Sequence, residues 1–318
     1  MIALFICYIM LFNLCCIVLY VVYFKISVND IPAPNISNSY SFNEKMEFLR
    51  KKKIDADIIV IGSSMSLNNL YSKTITDELH STSFLNTASW GMSIKDDFLL
   101  LKRLSEIHKP STLIIASNTI DFSQTDKKVD YVSLKQFLES NNFASLFYHI
   151  KNFNLKYYFT NFRYAKKVRS CKNEYEYLGF DRCGTINFDS TDFKINIDRW
   201  NSDNLSTETF SHQYSYLDSI SSFCKSKNIK LLFFQSPYRN GLYSTFDLNK
   251  LNNLKSHIDK IGFILKRNNQ IFINANDVIW ADQLFVDGIH FNKFGAKKFT
   301  EYCFDKIKAH DGNKGYMR

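Results

Sequence analysis

Three side chains at two places in this chain could together transfer an acyl group. Ser64 stands in Val60-Ile61-Gly62-Ser63-Ser64-Met65-Ser66, and Asp287 and His290 stand in Phe285-Val286-Asp287-Gly288-Ile289-His290-Phe291-Asn292. In a turn, a spacing of three lets the Asp287 carboxylate fold back onto the Nδ1–H of His290. Nε2 is then left to take a proton from a serine hydroxyl, while the carboxylate sets the tautomer and stabilises the imidazolium. A serine activated in this way attacks an ester or thioester carbonyl. The attack puts negative charge on an oxygen, which needs hydrogen-bond donors. The candidates are the Ser64 N–H at a helix start, Gly91 in Asn86-Thr87-Ala88-Ser89-Trp90-Gly91, and the amide of Asn118 in Ala116-Ser117-Asn118-Thr119-Ile120-Asp121. Each fragment has a plainer use as well. Gly-Ser-Ser can be a turn with a helix cap, Gly91 a loop residue needing positive φ, Asn118 an Asx turn, and Asp121 a substrate ligand or, in preference, a helix cap. An Asp-x-x-His pair can be purely structural, and Asn292 reads most simply as the cap of the last helix. The combination, not any one fragment, points to chemistry. Tyr238 and Arg239, just past a later strand, are also placed to touch a ligand; Arg239 could grip an anionic group or lie on the surface. No cysteine pair has zinc-ligand spacing, and the Gly62 loop lacks the lysine and further glycines of a phosphate loop, so no metal or cofactor is called for.

These residues need elements to bring them together. Asp57–Gly62 is a short apolar run ending in glycine, as a buried parallel strand requires. Further strands are expected at Ser83–Asn86, Thr112–Ala116, Lys230–Phe234 and Gln270–Ile273. Helical spacing of apolar residues marks Ile94–His108, Gln213–Lys227, Leu248–Lys266 and Phe294–Ala309. This alternation predicts an α/β domain over residues 54–318, with a doubly wound, flavodoxin-like parallel sheet. Ligands in such sheets bind at the carboxyl ends of the strands, where all the candidate residues fall. The alternation is interrupted at about 123–210, an aromatic and polar stretch with one helical segment near Leu134–Phe153, read as an insertion or cap. Tyr175, Tyr177, Phe180 and Trp200 there could stack on sugar faces, although a role in the core of the cap is preferred.

Residues Met1–Phe24 carry no charged side chain. As a helix they would span about 36 Å, enough for a bilayer core. With no basic n-region and no small-x-small site, an uncleaved, single-pass anchor over residues 1–25 is favoured over a signal peptide. Residues 26–53 read as a Pro-, Asn- and Ser-rich linker and a lead-in helix. The flanking charges, Lys25 and Lys45 against Asp30 and Glu44, with Arg50-Lys51-Lys52-Lys53 beyond, favour a cytoplasmic body only feebly. The chain is 45% hydrophobic and 22% charged, which excludes extensive disorder. The net charge of +9 comes from scattered lysines, without a basic stripe interleaved with aromatics, so nucleic acid is not an expected partner. Cys171 and Cys183 could close a disulfide if the body lies outside the cytoplasm; Cys224 and Cys303 read as core thiols.

The four blocks around Ser64, Gly91, Asn118 and Asp287-x-x-His290 resemble those of the SGNH (GDSL-like) hydrolase superfamily. The likeness runs from about Ile54 to the end, outside 123–210. It implies a serine nucleophile at Ser64, a base pair at Asp287 and His290, and an oxyanion hole of the Ser64 N–H, Gly91 and Asn118. Ser63 stands where the family has Asp, and Ala116-Ser117-Asn118-Thr119 stands for Gly-x-Asn-Asp. The N-terminal anchor, Gly-Ser-Ser nucleophile and middle insertion are similar to membrane-anchored envelope members of the superfamily, those of teichoic-acid D-alanylation and alginate O-acetylation. That resemblance implies acyl transfer, such as O-acetylation, to or from a cell-envelope polysaccharide, with an extracytoplasmic body. Its partners would be the membrane, the polysaccharide or acyl donor, and a membrane acyl-carrier protein. A polysaccharide or lipid esterase is the first alternative, and a non-catalytic binding or scaffold protein the second.

Overall fold

Five apolar runs pair into one wholly parallel sheet, in the order β2-β1-β3-β4-β5. They are β1 Ile58–Ile61, β2 Phe84–Asn86, β3 Thr112–Ser117, β4 Lys230–Gln235 and β5 Ile271–Asn274. In register, Ile58 lies between Phe84 and Thr112, Thr112 meets Lys230, and Leu232 meets Ile271. The molecule is described by a computed structural model over residues 2–23, 31–52, 54–172, 176–189 and 207–315, with side chains left undescribed at 19–23 and 311–315. The strand order is that of flavodoxin-like sheets, which reverse direction between β1 and β3 and open a crevice there.

Both sheet faces are covered, which is why the strands read as continuous apolar runs and not as alternating ones. Ile58, Val60, Ile114, Ala116, Leu232 and Phe234 point into one core; Ile59, Ile61, Leu113, Ile115, Leu231 and Phe233 point into the other. The first core is closed by α3 (Ser64–Asn68), α4 (Ser72–Glu78) and the last helix, Lys293–Gly315. The second is closed by α2 (Tyr40–Lys51), α5 (Ile94–Ile107), α6 (Tyr131–Glu139), α9 (Ser211–Ser226) and α10 (Leu248–Arg267). Helix α5 starts on a capping box. Ser93 Oγ accepts from Asp96 N–H at 3.2 Å, and the Asp96 carboxylate accepts from Ser93 N–H at 3.1 Å.

The single helical stretch expected over 134–153 is instead divided. Helix α6 ends at Glu139, and α7 (Asn142–Lys151) and α8 (Leu155–Ser170) follow. Asparagine caps explain the breaks: Asn141 accepts from Ala144 N–H at 2.8 Å, and Asn154 from Tyr157 N–H at 3.0 Å. The second half of the expected linker is also not free. Pro32, Ala33 and Pro34 are buried, and Ala33 N–H donates to Glu44 at 2.8 Å. Helix α8 holds this segment in place: Tyr157 Oη donates to the Ala33 carbonyl at 3.0 Å, and Arg169 pairs with Glu44 at 2.6 Å.

Helix α1 runs over Ile2–Tyr23 and carries no charged residue. All its described side chains, Ile2 to Val18, are exposed. Among the described residues no helix is long and apolar enough to cross a membrane. The span expected over 1–25 extends past Val18 and so beyond those side chains.

Candidate active site

Strand β1 delivers the chain to Gly62, whose φ of +135° suits glycine alone. The next residue, Ser63, caps α3: its Oγ accepts from Met65 N–H at 3.1 Å and donates to the Asp121 carboxylate. Ser64 is therefore the first residue of α3, and its N–H has no acceptor within the helix. Ser66, two residues on, ties α3 to β3, accepting from Ala116 N–H at 2.8 Å and donating to the Ala116 carbonyl at 2.9 Å.

The Asp287–His290 loop is closed by its own backbone, with Val286 N–H donating to the His290 carbonyl at 2.9 Å. Asp287 Oδ1 accepts from the N–H groups of Ile289 at 2.9 Å and His290 at 2.7 Å, as an Asx turn does. Its Oδ2 accepts from His290 Nδ1–H at 2.7 Å. On the far side of the ring, Ser64 Oγ donates to Nε2 at 2.8 Å. Burial pushes the Asp287 carboxyl up, but the facing imidazole and the three hydrogen bonds outweigh this and hold it below the usual carboxylate value. The sequence separation of Ser64 and His290 is bridged by Asn69. Its amide donates to the Ile289 carbonyl at 3.0 Å and its oxygen accepts from Phe291 N–H at 2.9 Å, gripping both neighbours of His290. Asn292 caps the last helix through Gly295 N–H at 2.9 Å.

Ser64, His290, Asp287 and Gly91 share the wall of a cavity of about 620 Å³. Gly91 sits there in the left-handed region at φ +63°. Beside it, the Trp90 ring lies against the His290 imidazole, with centroids 5.4 Å apart. Ile120 and Ile289 also line it, but much of the remaining wall is polar, with Asn38 and Ser39 from the segment before α2 and Gln124, Thr125 and Lys127 from the start of the insertion. Burial lowers the Lys127 ammonium pKa against the pull of Asp96, Glu176 and Asp97.

Three expected site residues stand elsewhere. Asn118 is fully buried and does not line the cavity; its amide donates to the Ser236 carbonyl at 3.2 Å, and its oxygen accepts from Thr119 at 3.1 Å. The structure thus uses it to join the ends of β3 and β4, not to face Ser64. Tyr238 is buried against Phe246, and its hydroxyl meets that of Thr119 at 2.5 Å. Arg239 pairs with Asp282 at 3.1 Å, and neither residue lines the cavity. Arg239 is also tied to the Asp287–His290 turn, its N–H donating to the Gly288 carbonyl at 3.1 Å.

Sequence reasoning missed Asn69, Trp90, Lys127 and Asp97, whereas Asp121 does cap the turn after β3, the role favoured for it. Asp121 is buried at the cavity floor and also accepts from Ser117 Oγ at 2.8 Å and Asn118 N–H at 3.1 Å. Burial raises its pKa to about 6, against those hydrogen bonds. Asp97, on α5, accepts from Gly62 N–H, and burial followed by the charges of Asp121 and Asp96 pushes its carboxyl up. The one available signal was an acidic residue at a position of α5 that the apolar pattern turns inward. In the insertion, Tyr177 and Phe180 pack against the core, and Tyr175 and Trp200 lie outside the described residues. Cys171 is exposed and Cys183 buried, and both are free thiols.

No family model matches the chain, and no curated protein matches it. Solved structures similar to it are those of esterases and acylhydrolases. One is the psychrotrophic esterase EstA of a Pseudoalteromonas species, 11% identical over 80% of this chain and 99% of that one, with a TM-score of 0.38. Another is a protein of Bacteroides fragilis described as an acylhydrolase, 10% identical over 80% of this chain and 89% of that one, with a TM-score of 0.39.

Proposed function

We propose that the protein is a serine-dependent acyl-transfer enzyme that works through an acyl-Ser64 intermediate. The observation that carries this is the hydrogen-bonded series Ser64 Oγ, His290 and Asp287, at 2.8 and 2.7 Å, on the wall of an open cavity. His290 Nε2 takes the Ser64 proton as Oγ adds to the acyl carbonyl, and the Asp287 carboxylate stabilises the imidazolium. The oxyanion is held by the Ser64 and Gly91 N–H groups. Collapse expels the leaving oxygen or sulfur, which takes the proton from His290. An acceptor hydroxyl then gives its proton to His290, attacks the acyl-serine and regenerates Ser64.

The acceptor proposed is a sugar hydroxyl of a cell-envelope polysaccharide, the acyl group a short one such as acetyl, and the body extracytoplasmic on an α1 anchor. The polar wall of Asn38, Ser39, Gln124 and Thr125 supports a hydroxyl-rich acceptor over a long acyl chain. The 22-residue, charge-free α1 supports attachment to a bilayer. Water in place of the sugar makes the same site an esterase, and the resemblance to the SGNH superfamily covers both outcomes.

A fluorophosphonate probe tests the proposal. Labelling of the full chain that disappears in Ser64→Ala is expected. A folded protein that is neither labelled nor able to turn over acyl esters would leave only the binding or scaffold role.

A further inference from the structure

An amphipathic helix of a globular protein turns its apolar stripe inward. Helix α7 does the reverse. Phe143, Leu146, Phe147 and Ile150 fall at i, i+3, i+4 and i+7, one face of the helix, and are 54–86% exposed. Its inward contacts are slight: Ser145 is its one buried residue, and Tyr148 packs on Phe137 at 5.1 Å. The stripe continues through Phe153 in the turn to Leu155 and Phe159 of α8, also exposed. Helix α8 binds the body through other positions, Tyr157, Ala165, Val168 and Arg169. A contiguous apolar surface of this kind marks a place of contact.

Charge identifies the contact. Residues 142–170 contain six Lys or Arg and no Asp or Glu, so they hold two thirds of the chain's net +9. Arg169 pairs with Glu44, whereas Lys151, Lys156, Arg163 and Lys166 are exposed alongside the aromatic stripe. Exposed phenylalanines flanked by lysines and arginines match the boundary between acyl chains and anionic headgroups. The position in the chain agrees. Helix α8 is fastened to Ala33, Asn43 and Glu44, and residues 24–30 between α1 and that fastened segment can reach about 25 Å when fully extended. A body tethered by α1 therefore keeps α7 and α8 within reach of the same bilayer.

We infer that α7 and the start of α8 form an interfacial docking surface for an anionic lipid bilayer. The surface holds the body flat on the membrane, and α1, on the reading above, tethers it there.

Hydrogen exchange of the full chain tests this, in vesicles of phosphatidylcholine alone and in vesicles with about a third phosphatidylglycerol. Amides of residues 142–160 are expected to exchange about tenfold more slowly in the anionic vesicles. The triple variant Phe143→Ser, Phe147→Ser, Ile150→Ser is expected to lose that difference while phosphonate labelling of Ser64 is retained, which shows that the body is folded. Equal exchange in the two vesicle types overturns the inference. So does protection that rises with protein concentration without lipid, which assigns the stripe to a second copy of the chain. Co-sedimentation separates the inference from the anchor. If the protein pellets only with anionic vesicles, and the triple variant does not pellet, the docking surface stands and the anchor falls. If it pellets with both vesicle types whatever the variant, the anchor stands and the exchange data decide.

Discussion

Asp287→Asn changes almost no volume, yet it should reverse the proton arrangement on His290. Asparagine can keep its oxygen on the Ile289 and His290 N–H groups, which Asp287 Oδ1 now holds at 2.9 and 2.7 Å. Its NH2 group then replaces the oxygen that accepts from Nδ1–H at 2.7 Å. Nδ1 must become the acceptor, the ring hydrogen moves to Nε2, and Nε2 can no longer take the Ser64 proton. The imidazolium formed in the reaction also loses its counter-charge. With charge centres about 4 Å apart and an effective dielectric near 20, that attraction is about 4 kcal/mol, or roughly a thousandfold in rate. The unfavourable tautomer adds to this, so a fall of about 10⁴ in the rate constant for Ser64 phosphonylation and in acyl-ester turnover is expected. Near-UV circular dichroism should be unchanged. A fall of less than about tenfold in a folded variant would refute the assignment of Asp287 as the group that orients His290. The native carboxylate, held below its unfolded value, should contribute stability at pH above about 4 and lose that contribution as acid protonates it. The variant should lack this acid-dependent part of unfolding.

Asp121 should act with the opposite sign. Its pKa of about 6 lies above the unfolded value, so stability should decline by at most about 3 kcal/mol as pH rises from 4 to 6 and then level off. Urea unfolding of Asp121→Asn at pH 4, 5, 6 and 7 should show that slope removed; an unchanged slope would place it elsewhere. Gly62→Ala should destabilise the protein by about 3 kcal/mol in the same assay, because φ is +135° and the new methyl would lie within 2.7 Å of Ser66 Cβ. Asn118→Ala should lower stability by about 1–3 kcal/mol through the lost bond to Ser236, with phosphonate labelling of Ser64 changed less than about tenfold. A drop of about 10² or more at unchanged stability would return Asn118 to the oxyanion hole.

The gap between sequence and structure has specific causes. Strands and helices of the α/β body were legible because each buries a continuous or periodic apolar set, and those periods are local properties of the chain. The break between α6 and α7 was harder to see because apolar residues run through it; only the Asn141 cap marks it. Asn118, Tyr238 and Arg239 were assigned to the site because they follow strand ends. Position along a strand does not say where a side chain turns, and here Ser236, Thr119 and Asp282 supply their partners.

By itself the sequence determined which residue types could do chemistry: a serine after a strand and an Asp-x-x-His near the end, both at ends of predicted elements. It also determined the charge-free first segment and a sheet with both faces covered. Tertiary structure decided the rest. It brought Ser64 within 2.8 Å of His290 through the Asn69 clamp, and it turned Asn118 away from the cavity. It left the apolar face of α7 outward, where a helical repeat alone would have been read as core. The physical reason is the same in each case. Composition and period are read along one dimension, whereas a proton relay, a hydrogen-bond partner and an exposed face depend on distances between segments that only folding fixes.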